Sequence, residues 1–134
     1  MVKTKKIFAI TIAVVTVLFM TVAANAASSG VGTRSFSGAR YKAYTARGTF
    51  TVTATMASAT MYMQQGSGEA TTDPFCSLLG GVFDSNGNII AIVSGKGEFS
   101  CSGSSSYSGT AAKSICTYYI VGEEVKTLTI PEEL

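Results

Sequence analysis

The chain has 134 residues, 46% of them hydrophobic and only 13% charged, with a formal net charge of +2. It contains no histidine and no tryptophan, which excludes Ser–His and Cys–His catalytic pairs and histidine-ligated zinc or haem. The length suits one small domain.

Lys3, Lys5 and Lys6 form a basic start, residues 7–20 are uncharged and apolar, and Ala24-Asn25-Ala26 places small residues at the −3 and −1 positions of a cleavage site. These are the three parts of a secretory signal peptide over residues 1–26, the apolar run being short for a membrane span. Cleavage leaves 108 residues with seven Lys+Arg against eight Asp+Glu. No cysteine follows the site and the chain ends Thr129-Ile130-Pro131-Glu132-Glu133-Leu134, so the expectation is export without a covalent anchor. Charge is unevenly placed: residues 27–68 hold Arg34, Arg40, Lys42 and Arg47 with no acid, and all eight acids come later.

Residues 27–33 are small and predict a flexible segment, followed by a single β domain over 34–134. An irregular or edge strand is expected over 34–44. In residues 48–64, Phe50, Val52, Ala54 and Met56 alternate with Thr51, Thr53 and Thr55, the period of a strand. The phase flips near Ala57-Ser58, where Met61 and Met63 take the other parity, which predicts a bulge or a turn between two strands. Residues 65–74 read as a loop. Two apolar runs, 75–83 and 88–94, flank Asp84-Ser85-Asn86-Gly87, a hairpin signal because Asn and Gly tolerate positive φ. A strand over 96–101, a serine-rich loop over 102–109, a strand over 112–121 with Cys116, Tyr118 and Ile120 on one face, a turn at Gly122-Glu123-Glu124 and a last strand over 125–130 complete the pattern. No stretch sustains helical periodicity. Six to eight short strands linked by Gly, Ser and Asn turns predict an all-β fold, a small antiparallel β-sandwich or partly open barrel.

Three cysteines, Cys76, Cys101 and Cys116, remain after the leader. An oxidising compartment predicts one bridge and one spare thiol, with three pairings possible. A hairpin about the serine-rich loop sets Cys101 opposite Cys116, which favours that disulfide and leaves Cys76 a buried thiol. Closing a loop of that size contributes about 3 kcal/mol in the chain-entropy model.

Site candidates are few. Asp84 to Asn88 resembles the start of a calcium loop, but the twelfth position is Gly95 rather than a carboxylate, so a hairpin turn is the better reading. Met56, Met61 and Met63 suit core filling better than a soft-metal site. The remaining candidate is the basic-aromatic stretch Arg34, Arg40, Tyr41, Lys42 and Arg47, cations interleaved with rings that fit an anionic polymer. The 102–109 loop with Tyr107 is a second, adaptable contact surface. No metal, cofactor or catalytic group is expected, and no nucleic-acid-binding signature is present. In leader and composition the chain resembles the small secreted, Ser/Thr/Gly-rich β proteins of Gram-positive bacteria, a likeness of general character that assigns no residue a role.

The expected function is that of a secreted, non-enzymatic β-sandwich acting by surface contact at or near the bacterial envelope, with an anionic envelope polymer or a surface protein as partner. The alternatives are a secreted antimicrobial or toxin-like protein acting on competing cells, and a self-assembling extracellular structural protein.

Overall fold

The computed structural model describes residues 29–66 and 74–131, so the leader lies outside the described residues. The strands are β1 (Gly32–Tyr41), β2 (Tyr44–Val52), β3 (Met56–Gln65), β4 (Phe75–Phe83), β5 (Ile89–Glu98), β6 (Ser100–Ser106), β7 (Lys113–Ile120) and β8 (Glu123–Ile130). They pair antiparallel in two four-stranded sheets, β1-β2-β3-β6 and β5-β4-β7-β8. The expected all-β sandwich is present, and the described residues contain no helix.

Period-two alternation builds the core between the sheets. From the first sheet Phe36, Tyr44, Ala46, Phe50, Val52, Ala57, Ala59, Met61, Met63 and Cys101 point inward; from the second come Cys76, Leu78, Val82, Ala91, Val93, Cys116, Tyr118, Ile120, Leu128 and Ile130. Phe36 meets Tyr118 across the sheets edge to face, with ring centroids 4.9 Å apart, a geometry that adds to simple burial. The Phe36 ring lies over its register partner Gly48, where an added Cβ would come within 2.6 Å of it.

The sequence phase flip is a turn between two strands. Thr53 N–H donates to the Met56 carbonyl at 2.8 Å, and Met56 N–H donates to the Thr53 hydroxyl at 3.1 Å. Ala54 and Met56, expected with the inward set, are consequently exposed. The Asn86-Gly87 hairpin forms as expected: Gly87 has φ 82°, and Asp84 Oδ1 accepts from the N–H groups of Asn86 and Asn88, both at 2.9 Å.

Three expectations are corrected. The serine-rich segment is mostly strand, since β6 runs to Ser106 and pairs with β3 along its length. Tyr107 is pinned to the β2–β3 turn, its N–H donating to Thr55 and its hydroxyl to the Thr53 carbonyl. At the start of the domain, β1 begins at Gly32, and Gly30 is tied to the second sheet by its N–H to the Ala111 carbonyl and by the buried Ser114 hydroxyl donating to its own carbonyl.

Where β5 hands over to β6, the chain leaves one sheet for the other at Phe99, which takes φ 61°. The two backbones touch there. An ideal Cβ on Gly95 would lie 2.1 Å from the Ser102 carbonyl oxygen, one on Gly103 2.2 Å from that of Ser94, and one on Gly97 2.3 Å from that of Ser100. Only glycine permits so close an approach, and it closes this side of the sandwich.

Candidate functional site

The outward face of the first sheet is the site the register assembles. Thr33, Thr51, Ser58 and Ser104 form one cross-strand row, and Ser35, Thr49, Thr60 and Ser102 form the next. Neighbouring strands are about 4.8 Å apart, so each row of four hydroxyls spans about 14 Å. Thr33 donates to Thr51 at 3.2 Å, and the Ser35 and Thr49 hydroxyls lie 3.0 Å apart. Each hydroxyl has one donor and two acceptor positions, so these pairs retain capacity toward a ligand.

Beyond the hydroxyl rows the same face carries Arg47 beside Tyr62 and Ser100, then Arg40 beside Thr45 and Gln64. The Arg47 guanidinium stands 5.7 Å from the centre of the Tyr62 ring, which is 53% exposed. Arg40 is a diagonal neighbour of Arg47 through Thr45, within reach of one extended ligand.

Charge is segregated with the strands. β1, β2, β3 and β6 contain Arg34, Arg40 and Arg47 and no acid, whereas the strands of the second sheet carry three lysines and three glutamates. The acid-free first half of the chain becomes three neighbouring strands, and the uncharged β6 completes the sheet. This face therefore favours anions.

The structure divides the expected basic-aromatic set. Arg40 and Arg47 share the outward face. Arg34 pairs with Phe50 in the inward phase and is half-buried. Tyr41, partner of the buried Tyr44, packs against the core, and Lys42 in the β1–β2 turn lies 5.4 Å over its ring with φ 53°. The cause is a bulge: between Phe36 and Ala39 β1 carries one residue more than β2, with Gly38 at φ 75°, and the extra residue reverses the facing of everything after it. Tyr62 and the hydroxyl rows were missed as site residues. Their signal was the alternation of Ser and Thr, visible in β2 but hidden in β6 by its loop-like composition.

The cysteines also depart from expectation. The hairpin that would set Cys101 opposite Cys116 does not form, because β6 pairs with β3 in one sheet and β7 with β4 and β8 in the other. All three are buried free thiols. Cys101 instead interacts with Cys76, and that interaction holds the Cys76 thiol below its ordinary value against the opposing effect of burial and raises that of Cys101. Burial pushes Cys116 up to about 12. Three hydroxyls, those of Tyr44, Tyr118 and Tyr119, are buried without a hydrogen-bond partner among the described residues.

Neither a family model nor a curated protein matches the chain. Among solved structures the chain is similar to the crystal structure of a beta-glycosidase from Bacteroides vulgatus, at 12% identity and a TM-score of 0.31, over 73% of this chain and 12% of that one. At that level the likeness carries no argument about fold or activity.

Proposed function

We propose that the protein is secreted through its leader and works without catalysis, as a β-sandwich that contacts an anionic polymer at the bacterial envelope through the outward face of its first sheet. The observation that carries this reading is the outward face of four strands that hold no acid, on which Arg40, Arg47 and the exposed Tyr62 border two rows of hydroxyls. A phosphate-bearing polyol or glycan matches each part. Guanidinium groups pair with phosphate oxygens in a fork geometry, the Tyr62 ring offers a flat apolar surface to a sugar, and Ser and Thr exchange hydrogen bonds with polyol hydroxyls. Wall teichoic acids have this chemistry.

Co-sedimentation of the protein with purified Gram-positive cell walls tests it, at low and high salt and with teichoic-acid-stripped walls beside intact ones. Expected is binding to intact walls that weakens with salt, since exposed charges are screened beyond about 8 Å at physiological ionic strength, and that is lost on stripping. The double variant Arg40→Glu, Arg47→Glu should abolish that binding while its fold, followed by circular dichroism, stays intact. Equal binding by the folded variant, or by stripped walls, would refute the assignment.

A further inference from the structure

We propose that Cys76 and Cys101 are oxidised to a disulfide that joins β4 of the second sheet to β6 of the first, leaving Cys116 as the buried thiol. The inference is independent of the polymer-binding face and rests on how the glycine corner brings two strands together. Cys76 pairs in register with Gly97, and an ideal Cβ on Gly97 would lie 4.0 Å from the Cys101 Cα. The bare backbone at Gly97 thus seats Cys101 against Cys76, although their own strands belong to different sheets. Both side chains point into the core, at 0% and 7% exposure, and each thiol shifts the other's proton affinity. Cys116 is set apart by its neighbours: its sulfur lies 3.2 Å from where a Cβ on Gly80 would stand and beside the Tyr118 hydroxyl.

The chemistry is thiol–disulfide exchange with a protein or low-molecular-mass disulfide donor, R–S–S–R, of an oxidising compartment. Cys76 as thiolate attacks one donor sulfur, forming a Cys76–S–S–R bond and releasing one thiolate. Cys101, having lost its proton, then attacks the Cys76 sulfur, forming the Cys76–Cys101 bond and releasing the second. The two cysteines lose two protons and two electrons, and the donor is reduced to two thiols. Since neither sulfur is open to solvent in the folded domain, exchange takes place before the core closes.

Trypsin places the three cysteines on separate peptides, residues 48–96, 97–113 and 114–126, so the pairing can be read directly. The full chain is refolded from denaturant in mixed oxidised and reduced glutathione, alkylated while unfolded, and mapped without reduction by mass spectrometry. Expected is a 48–96 peptide linked to 97–113, with alkylation at Cys116 alone. A Cys101–Cys116 or Cys76–Cys116 link, or alkylation of all three, overturns the proposal. The variant Cys116→Ser should keep the same linked pair, and reduction should lower its Tm by about 10 °C or more. A folded Cys116→Ser protein that is indifferent to reductant would overturn the proposal equally.

Discussion

Alanine at Gly95 tests the account of how the sandwich closes. The added methyl would sit 2.1 Å from the Ser102 carbonyl oxygen and 2.6 Å from its carbonyl carbon, where ordinary contact begins near 3.4 Å. Both obstacles are backbone, so no side chain can swing aside, and β5 must part from β6 by more than 1 Å, judged from those two distances. Overpacking a well-packed site costs about 1–3 kcal/mol, and a backbone-on-backbone clash belongs at the upper end, about 3 kcal/mol. For a domain of this size that lowers Tm by roughly 12 °C or more. Gly38→Ala is the contrasting control: Gly38 has positive φ, 75°, but an added Cβ meets nothing within 4 Å, so only the left-handed strain of about 1–2 kcal/mol applies. Thermal and urea melts followed by circular dichroism compare the two variants. If Gly95→Ala proves no more costly than Gly38→Ala, the β5–β6 contact is not the tight closure described.

Two further outcomes follow from the core. Tyr44→Phe removes a buried hydroxyl that has no hydrogen-bond partner among the described residues and should leave the urea midpoint unchanged or raise stability by about 1 kcal/mol; a loss of similar size would mean that the hydroxyl is satisfied. Cys116 is pushed up to about 12 from an ordinary 9.0 by burial, so the unfolded chain releases this proton first as pH rises. Its contribution is fully present below pH 9 and is lost between pH 9 and 12, at up to about 1.4 kcal/mol per pH unit. Urea midpoints measured from pH 8 to 11 should therefore fall less steeply in Cys116→Ala than in the parent, and parallel curves would contradict the buried, protonated thiol.

Much of this architecture was legible because alternation reports facing directly. Phe50 and Val52 against Thr49 and Thr51 gave β2, and Cys116, Tyr118 and Ile120 gave β7, with inward sets as expected. Asn86-Gly87 marked a true hairpin because its φ requirement is local. The failures came from residues whose state is set by distant partners. Ser100 to Ser106 has the composition of a loop, yet β3 supplies a strand for it to pair with, and tertiary pairing overrides weak local preference. The Cys101–Cys116 pairing is absent for the same reason: the chain changes sheets between the two cysteines, so proximity in sequence does not make their strands neighbours.

The candidate site was half legible, and the bulge explains which half. Arg34 and Arg40 are an even number of residues apart, so an unbroken strand would give them the same facing. The one extra residue between Phe36 and Ala39 turns Arg40 outward and leaves Arg34 in the inward phase. Only then does Arg40 join Arg47, whose partner Tyr62 arrives from β3. A charge cluster in sequence thus becomes a smaller one in space, joined by an aromatic from another strand and by hydroxyls from four. The strand order matters as much as the bulge: placing β6 beside β3, instead of the glutamate-bearing β5 or β8, keeps acids off the sheet. The basic character of the first half of the chain survives folding because β6, the one strand that the later half adds to this sheet, carries no charge.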